Sequence, residues 1–293
     1  MRVLILGGTG MLGHKAVQVF SRQFDTWCTI RNGYESVERF DIFDRDRVIE
    51  HVDARDFHSI RKAVDIANPD VIVNCIGIIK QRSTSKDVVH TLTVNSILPH
   101  LLAELSSEFG FRLVTISTDC VFSGIRGNYA ESDTPDATDL YGRSKQYGEV
   151  TGSNCLTLRT SIIGRELQSS RGLIEWFLSQ ESKVKGYANA FFSGFPTVIL
   201  AELIAKIVQD HPSLEGLYHI SSDPISKYEL LSLVKKTLGL PVAIEMETDF
   251  RIDRSLDSSR FRLMTGFVPL AWPEMVAKML SDPTPYDEWE KVA

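Results

Sequence analysis

Residues 3–13 read VLILGGTGMLG, and this stretch decides the fold. Its first four residues form an apolar run that predicts a β-strand, and residues 14–20 after it have the apolar spacing of a helix. Between the two, glycine recurs at every third position. A glycine-rich turn that joins a strand to a helix is typical of the first unit of a dinucleotide-binding α/β domain.

Each glycine of this turn has an expected task. Gly7 permits the tight turn, Gly10 lets the backbone approach a pyrophosphate, and Gly13 allows helix and strand to pack closely. The helix N-terminus offers that pyrophosphate unpaired N–H groups and a positive dipole end. An ordinary glycine turn is the alternative, which the flanking strand and helix disfavour. The predicted cofactor-binding residues of the turn are Gly7, Thr9, Gly10, Met11, Leu12 and Gly13.

Working outward, short strand-like runs alternate with helical patterns through the first half of the chain. The runs are almost continuously apolar, as expected of strands covered by helices on both faces. We predict an α/β fold with a doubly wound parallel sheet and a smaller C-terminal substrate lobe. The predicted cofactor domain is 1–160 with a contribution from about 195–210, and 161–293 form mainly the lobe. The predicted strands are Val3–Leu6, Thr26–Ile30, Val48–Val52, Val71–Asn74, Leu113–Ser117, Leu156–Arg159 and Tyr218–Ile220; the helices are Phe57–Ala67, Leu98–Phe109, Gly172–Leu178, Val198–Val208 and Ser226–Leu238; and the polar segment Gly33–Arg47 is a surface excursion.

Composition narrows the classes of partner. The net charge is −6 and the basic residues are interspersed with acids, so the sequence lacks the basic footprint of a nucleic-acid binder. It also lacks an apolar run of membrane-spanning length. The first strand follows Met1 directly, which leaves no room for a signal peptide and predicts a cytoplasmic location. The four cysteines are widely separated, so we expect buried reduced thiols and no metal site.

Arg31 stands at the end of the second strand, about 20 residues after the glycine turn. NAD-binding domains usually place an acid here for the ribose hydroxyls, whereas a guanidinium can clamp the 2′-phosphate of NADP. Arg31 therefore predicts NADPH, with NADH left open; a solvated strand-end residue is the alternative. Asp53 is a weaker candidate for the adenine edge, since Asp is also common in turns.

The segment DLYGRSK at residues 139–145 places Tyr141 and Lys145 four residues apart near the start of a predicted helix, so both face the same side. We expect the Lys145 ammonium to lower the pKa of Tyr141 from about 10, so that Tyr141 can protonate the alkoxide formed when a hydride reaches a ketone. Lys145 can also hold the nicotinamide ribose. Thr118 is expected to hydrogen-bond the carbonyl oxygen. Taken singly, each residue has a structural alternative: Tyr141 as a half-buried helix residue, Lys145 as a solvated lysine and Thr118 as a turn former.

Four stretches together resemble the extended short-chain dehydrogenases, specifically the dTDP-4-dehydrorhamnose reductase group. This resemblance is strong over residues 1–165 and thinner beyond. It implies a Rossmann fold and NADPH-dependent reduction of the 4-keto group of a nucleotide-linked 6-deoxyhexose, in surface polysaccharide or deoxysugar biosynthesis. The stretches are Gly7-x-x-Gly10-x-x-Gly13, Asn74-Cys75-Ile76-Gly77, STDCVFSG at 117–124 and Tyr141-x-x-x-Lys145.

The resemblance also assigns residues. It implies that Thr118, Tyr141 and Lys145 are the catalytic residues. It also implies that the chain after the fourth strand lies beneath the cofactor and that Asn95 lies on a helix behind the site. The cofactor residues it implies are Cys75, Ile76, Gly77, Asn95, Ser117, Tyr141 and Lys145, and the substrate residues are Thr118 and Asp119. Lys80, in a loop that departs from the family pattern, is a further candidate for the substrate site.

Arg254 completes the predicted substrate site, because a guanidinium can pair with diphosphate oxygens in a bidentate way. A surface salt bridge with Asp253 or Asp257 is the alternative. Two departures from the family pattern leave the hexose and the product epimer open. The chain reads IIKQR at residues 78–82, where rhamnose-type reductases usually have an acidic loop, and Cys120 replaces their usual Tyr. Lys80 and Arg82 are either substrate contacts or parts of a solvated loop.

Two other functions compete with the reductase. Sugar-nucleotide epimerases and dehydratases use the same fold, Tyr and Lys with tightly bound NAD, and Arg31 argues against them because it favours exchangeable NADPH. A non-catalytic NADP-binding regulatory subunit, like that of methionine adenosyltransferase, is the second rival, and an intact Tyr141 and Lys145 favour catalysis over it. The expected partner is a nucleotide sugar rather than nucleic acid or a membrane, and a homodimer is left open.

Overall fold

A parallel sheet of seven strands organises the part of the chain that the computed structural model describes, residues 1–79, 87–167 and 172–290. The chain runs from a central strand outward to one edge, returns to the centre, and then runs outward to the other edge. This order confirms the predicted doubly wound α/β fold. Numbered along the chain, the strands of this sheet are β1 (Arg2–Leu6), β2 (Asp25–Thr29), β3 (Val48–Ile49), β4 (Val71–Asn74), β5 (Arg112–Thr118), β6 (Cys155–Thr160) and β10 (Gly216–His219), in the spatial order β10-β6-β5-β4-β1-β2-β3.

Alternate residues of β1 enter two separate cores. Val3 and Ile5 pack into the core on one face of the sheet, and Leu4 and Leu6 pack into the core on the other. All four side chains are fully buried. Because side chains alternate across a strand, an unbroken apolar run is what a strand needs when helices cover both faces.

Helices form these two layers. Two predicted helices, Phe57–Ala67 and Leu98–Phe109, have the bounds that the sequence indicated. Ser226 caps the helix after it, as expected, through a capping box with Glu229. The helices are α1 (Met11–Phe20), α2 (Phe57–Ala67), α3 (Val88–Leu92), α4 (Leu98–Phe109), α5 (Leu140–Tyr147), α6 (Leu173–Leu178), α7 (Thr197–Asp210), α8 (Lys227–Leu238), α9 (Ser259–Thr265), α10 (Trp272–Leu280) and α11 (Tyr286–Glu290), with a π-helical turn (Thr93–Ile97) between α3 and α4.

The later half of the chain contributes both to the large sheet and to a smaller one. Helix α7 packs against α1, and β10 pairs with β6 in the large sheet. The remaining strands stand apart from it. They are β8 (Val184–Phe192), β11 (Ile225–Ser226) and β12 (Ile244–Asp253), which form a sheet in the order β11-β8-β12, and β7 (Ile162–Ile163) and β9 (Phe195–Pro196), which pair with each other.

Three sequence predictions need correction. The third strand is shorter than predicted and ends at Ile49. The segment Gly33–Arg47 is not simply a surface excursion, because three apolar side chains spaced three residues apart turn into the core. Of the four cysteines, two are buried and two are half-buried. The three inward residues are Val37, Phe40 and Phe43; the buried thiols are Cys28 and Cys155, and the half-buried ones are Cys75 and Cys120.

Two features are absent from the residues that the structure describes. In that part of the chain, no helix combines the length and the apolar character that crossing a bilayer requires. The same residues hold no group of three or more His, Cys, Asp or Glu side chains that could bind a metal ion.

Candidate active site

The glycine turn follows β1 and is fixed by β2. Gly7 has a φ of +81°, and its N–H donates to Oγ1 of Thr29 at 3.0 Å. The N–H of Gly8 donates to the carbonyl of Thr29 at 2.8 Å. A Cβ on Gly13 would lie 2.0 Å from the carbonyl oxygen of Gly7. The close approach of α1 to the turn therefore requires glycine at position 13, and the positive φ favours glycine at position 7.

The first turn of α1 fits an anion. The helix starts at Met11 after Gly10, which has extended backbone and makes no side-chain cap, and its first turn holds no acid. The leading N–H groups of a helix have no partner within it, and they carry the positive end of the dipole. Leu12 is buried beneath the turn, while Thr9 is half-buried at its surface. These features suit the pyrophosphate of a dinucleotide.

Arg31 and Asp53 lie near each other at the outer edge of this region. Arg31 is exposed, and within the described ranges it makes no ion pair within 4.0 Å. Asp53 is held by Arg55, whose Nε lies 3.0 and 3.1 Å from the two carboxylate oxygens. Hydrogen bonding by Arg55 lowers the pKa of Asp53 to about 2, and the charge of Arg31 acts in the same direction. The edge therefore carries the exposed guanidinium of Arg31 beside an ion pair of Asp53 and Arg55.

The segment after β4 connects the glycine turn to the helix that carries the predicted catalytic pair. A Cβ on Gly7 would lie 3.0 Å from the side chain of Ile76, and one on Gly77 would lie 3.9 Å from Nζ of Lys145. Asn95, in the π-helical turn, holds this segment: its Oδ1 accepts from the N–H of Ile78 at 2.8 Å, and its Nδ2 donates to the carbonyl of the same residue at 3.0 Å. One-turn π-helical segments occur often at functional sites.

Thr118 and Tyr141 come together at the carboxyl end of β5. The side chains are hydrogen-bonded to each other. The Thr118 hydroxyl also accepts from the N–H of Cys120 at 3.1 Å and lies 3.1 Å from Oδ1 of Asp119. Asp139 caps α5 by accepting from the N–H of Gly142, which fixes where the helix starts and so where Tyr141 points.

Lys145 lies one turn along α5, in the sheet-facing interior. It is 8% exposed, and its Nζ donates to the carbonyl of Ile116 in β5 at 2.7 Å. An ammonium has three donors, so two remain for a ligand. Burial lowers the pKa of Lys145 to about 8.

The expected effect of Lys145 on Tyr141 does not occur in this structure. Burial raises the pKa of Tyr141, and the nearby Cys120 and Asp119 act in the same direction, while the hydrogen bond from Thr118 opposes them. The prediction of a lowered pKa was wrong because it counted the ammonium and left out the cost of ionising a phenol in the interior. The phenol of Tyr141 therefore keeps its proton at neutral pH.

Asp119 and Arg254 lie beside this centre, and so does Lys227, which the sequence analysis missed. Asp119 is 5% exposed, and burial raises its pKa against the charges of Arg254 and Lys227. Arg254 donates from Nε to the carbonyl of Phe122 at 2.9 Å and from Nη2 to that of Ser123 at 3.3 Å. Among the described residues it makes no ion pair within 4.0 Å, so the alternative of a salt bridge with Asp253 or Asp257 was wrong.

Lys227 is the first residue of α8, and its ammonium lies 3.9 Å from the centroid of the Phe192 ring. Its sequence signal was weak, because one Lys after a helix cap usually points to solvent. Glu149 and Arg159 were also missed; they form a buried ion pair behind the site. The sequence signal for Glu149 was its position four residues after Lys145. Lys80 and Arg82, predicted near the substrate, lie outside the described residues.

Comparisons with known proteins show which proteins the sequence is similar to. The sequence model of the family described as RmlD substrate binding domain matches residues 1–284. Methionine adenosyltransferase 2 subunit beta of Danio rerio is 28% identical over 257 residues, which cover 82% of this chain and 75% of that protein. The spore coat polysaccharide biosynthesis protein SpsK of Bacillus subtilis is 28% identical over 244 residues, covering 78% and 84%.

A solved structure shares the fold. The dTDP-4-dehydrorhamnose reductase of Bacillus anthracis, determined in complex with NADP, superposes with a TM-score of 0.78. It is 21% identical, and the match covers 95% of this chain and 98% of that one. At this identity the likeness shows the fold, and residue roles have to be argued from the side chains of this chain.

Proposed function

Because the chain belongs to the RmlD substrate binding domain family, we propose that it is an NADPH-dependent reductase of a nucleotide-linked 4-keto-6-deoxyhexose. The observation that carries the proposal is the hydrogen-bonded pair Thr118 and Tyr141 at the end of β5, with the Lys145 ammonium one turn away. The similarity to SpsK supports a place in polysaccharide biosynthesis.

The cofactor assignment rests on two features. The glycine turn and the uncapped first turn of α1 suit a pyrophosphate, and the exposed guanidinium of Arg31 at the ribose edge favours the extra phosphate of NADP. The reductase from Bacillus anthracis has NADP in its structure. We place the adenine edge near Asp53, the nicotinamide half along Cys75, Ile76 and Gly77, and the nicotinamide ribose at Lys145, with Asn95 and Ser117 behind it.

The chemistry divides among three side chains. NADPH, when bound, would supply the hydride that the carbonyl carbon accepts. Tyr141 donates its phenolic proton to the oxygen as negative charge develops there, and Thr118 holds that oxygen by a hydrogen bond. Lys145 would hold the nicotinamide ribose with its ammonium and so keep the hydride donor close to the carbonyl.

The diphosphate of the substrate has a suitable binding region next to this centre. Arg254 and Lys227 bring two positive charges to one buried carboxylate, Asp119, so the region keeps an excess positive charge. Two guanidinium nitrogens of Arg254 bind backbone carbonyls, and Nη1 remains for a phosphate oxygen. We assign Asp119, Arg254 and Lys80 to the substrate site, and we add Lys227.

We also propose a division of labour along the chain. Residues 1–160 bind the cofactor with help from about 195–210, and 161–293 supply mainly the substrate lobe. The packing of α7 on α1 supports the first part. The position of β10 in the large sheet means that a short piece of the later half serves the cofactor domain as well.

The test is turnover. The protein is incubated with NADPH and a panel of dTDP-, UDP- and GDP-linked 4-keto-6-deoxyhexoses, and the products are identified by NMR. We expect one of these to be reduced at C4 with stoichiometric oxidation of NADPH. Reduction of a free sugar or a simple ketone, with none of the sugar nucleotides consumed, would overturn the substrate class.

The similarity to methionine adenosyltransferase 2 subunit beta supports a second candidate, a regulatory subunit without turnover. The buried position of Lys145 and its contact with β5 favour the enzyme. NADPH binding without reduction of any member of the panel, together with co-purification of another enzyme, would favour the regulatory subunit.

A further inference from the structure

The C-terminal segment, residues 282–289, packs along α1, the helix that follows the glycine turn. Nζ of Lys15 donates to Oδ2 of Asp282 at 2.8 Å and to Oγ1 of Thr284 at 2.9 Å. The side chains of this ion pair are 4% and 10% exposed. Solvent screens a pair at this depth only weakly, so the pair fixes the start of the C-terminal segment against the helix.

Two further contacts hold the rest of the C-terminal segment. Asp287 accepts at Oδ1 from Nη2 of Arg165, which lies two residues after β7, at 2.6 Å. Trp289 packs against Phe40, with ring centroids 4.8 Å apart. Three separated parts of the chain therefore set the position of the C-terminal segment.

His14 joins the C-terminal segment to the glycine turn. The residue is fully buried in α1. Its Nδ1 lies 2.9 Å from the carbonyl oxygen of Gly10, and its Nε2 lies 2.7 Å from the hydroxyl of Tyr286. Tyr286 is 5% exposed, and its ring meets that of His14 edge to face, with centroids 5.7 Å apart. One imidazole thus bridges the turn and the C-terminal segment.

The acceptor at one end fixes the direction of these hydrogen bonds. A carbonyl oxygen can only accept, so Nδ1 of His14 carries the proton. Burial lowers the pKa of His14 to about 4, so the ring is neutral at neutral pH and its Nε2 is free to accept. Burial also raises the pKa of Tyr286, which keeps the phenol in its donating form. The hydroxyl of Tyr286 therefore donates to His14, and His14 donates to Gly10.

The carbonyl of Gly10 belongs to the peptide group that leads into α1. A trans peptide is planar, so the C=O of Gly10 and the N–H of Met11 point in opposite directions. The same carbonyl oxygen accepts from the backbone N–H of His14 at 3.0 Å. Two donors of His14 hold the carbonyl along the helix, and the N–H of Met11 therefore points out of the helix N-terminus, where a pyrophosphate binds.

We propose that His14 is a positioning residue of the cofactor site: held by Tyr286 of the C-terminal segment, it fixes the carbonyl of Gly10 and so aims the N–H of Met11 at the pyrophosphate. The C-terminal segment then serves the cofactor site, although Tyr286 stands 272 residues after His14. This role rests on the proposed function, because it takes NADPH as the ligand of the glycine turn. A contact that only anchors α1 would change the stability of the protein and leave the cofactor affinity unchanged.

The first readout is the Kd of NADPH, measured by fluorescence titration without substrate. His14→Leu alone leaves the buried hydroxyl of Tyr286 without its acceptor, so the histidine is replaced in the Tyr286→Phe background. We expect Tyr286→Phe to raise Kd about 3-fold, because the ring of His14 loses its support, and His14→Leu with Tyr286→Phe to raise it about 10-fold.

A conservative variant separates positioning from packing. His14→Asn with Tyr286→Phe should recover most of the lost affinity, because the amide nitrogen of Asn stands where Nδ1 stood and can donate to the carbonyl of Gly10. Tyr218→Phe is the matched control, since Tyr218 in β10 is also 5% exposed. It should leave Kd unchanged.

The second readout is the tautomer of His14. Protein labelled with ¹⁵N-histidine is examined by NMR at neutral pH, and the His14 signals are assigned through the change that Tyr286→Phe produces in them. We expect the proton on Nδ1 in the native protein and a shifted Nε2 resonance in Tyr286→Phe, because Nε2 then lacks its donor. This measurement decides the matter even where a His14 variant fails to fold.

Three results would overturn the inference: a native Kd in folded His14→Leu with Tyr286→Phe, an equal loss of affinity in the Leu and Asn variants, or a proton on Nε2 of native His14. The free energy of unfolding, measured in urea, is compared across the variants. A fall in stability with an unchanged Kd would reduce the contact to an anchor for α1.

Neither readout requires a sugar nucleotide, so the inference and the proposed function can fail separately. A protein that binds NADPH and reduces no member of the panel would refute the reductase, and the Kd values would still decide the role of His14. A native protein that does not bind NADPH would overturn both.

Discussion

The interior centre at Thr118, Tyr141 and Lys145 and the outer edge at Arg31 and Asp53 are built in opposite ways. The first is buried, and each of its polar groups is held by a hydrogen bond to the strand or helix beside it. The second is open to solvent, and Arg31 makes no ion pair there within the described ranges. The difference teaches that the proposed chemistry depends on packing, which is costly to change, whereas the proposed cofactor preference depends on a side chain that can change without disturbing the fold.

The comparison predicts the largest loss at the interior centre. Tyr141→Phe should reduce kcat by about 100- to 10,000-fold, because it removes the proton donor, and it should leave NADPH affinity nearly unchanged. Tyr147→Phe is the matched control on the same helix, where the ring is 60% exposed. A Tyr141→Phe enzyme with half the native rate would place the proton donor elsewhere.

The second-largest effect of a substitution is expected at the glycine turn. Gly13→Ala puts a Cβ 2.0 Å from the Gly7 carbonyl and must push α1 away from the turn, so we expect NADPH affinity to fall by about 100-fold. Gly152→Ala, where nothing lies within 4 Å of the added atom, controls for the substitution itself. Fluorescence titration with NADPH measures both. Equal affinity in both variants would mean that the turn does not hold the cofactor.

At the outer edge the effect should be smaller and selective. Arg31→Ala should lower kcat/KM with NADPH by about 10-fold and leave that with NADH unchanged, because the lost contact is with the 2′-phosphate. Arg39→Ala removes another exposed guanidinium and should change neither value. Equal efficiency with the two cofactors, in the native protein and in Arg31→Ala alike, would contradict the assignment.

The smallest effect is expected at the substrate side. Arg254→Ala should raise KM for the sugar nucleotide by about 5-fold and leave NADPH affinity unchanged, since a partly solvent-exposed guanidinium contributes a modest share of diphosphate binding. Arg251→Ala, an exposed arginine in β12 three residues before Arg254, is the control. If KM is the same in both variants, Arg254 holds the loop at Phe122 and Ser123 by hydrogen bonds and does not bind the substrate.

The same contrast explains what could be predicted from the sequence. The sheet and the glycine turn follow from short-range patterns, and so the unbroken apolar run of β1 and the glycines at 7 and 13 were enough to place them. The ion pair of Glu149 with Arg159 was not predictable, because it joins residues from two elements whose pairing is set by the tertiary fold. The raised pKa of Tyr141 was missed for a related reason: burial is a property of the assembled site.

Residues 33–47 show how pattern reading fails on a smaller scale. Charged residues outnumber apolar residues in this segment, so the sequence predicted that it lies at the surface. Val37, Phe40 and Phe43 nevertheless share one side at a spacing of three, and Phe40 packs against Trp289 from the far end of the chain, with ring centroids 4.8 Å apart. A spacing count within the segment would have found the buried side, but not its distant partner.

The central claim is hydride transfer to C4 of a nucleotide-linked sugar, and isotope transfer tests it most directly. The protein is incubated with NADPH deuterated at the nicotinamide C4 and with the 4-keto-6-deoxyhexose nucleotide that the panel selects, and the product is examined by NMR. We predict a single deuterium at C4 of the hexose from one face of the nicotinamide, with the label absent in Tyr141→Phe over the same time. Oxidised cofactor without deuterium in the sugar, or deuterium at another carbon, would contradict the account.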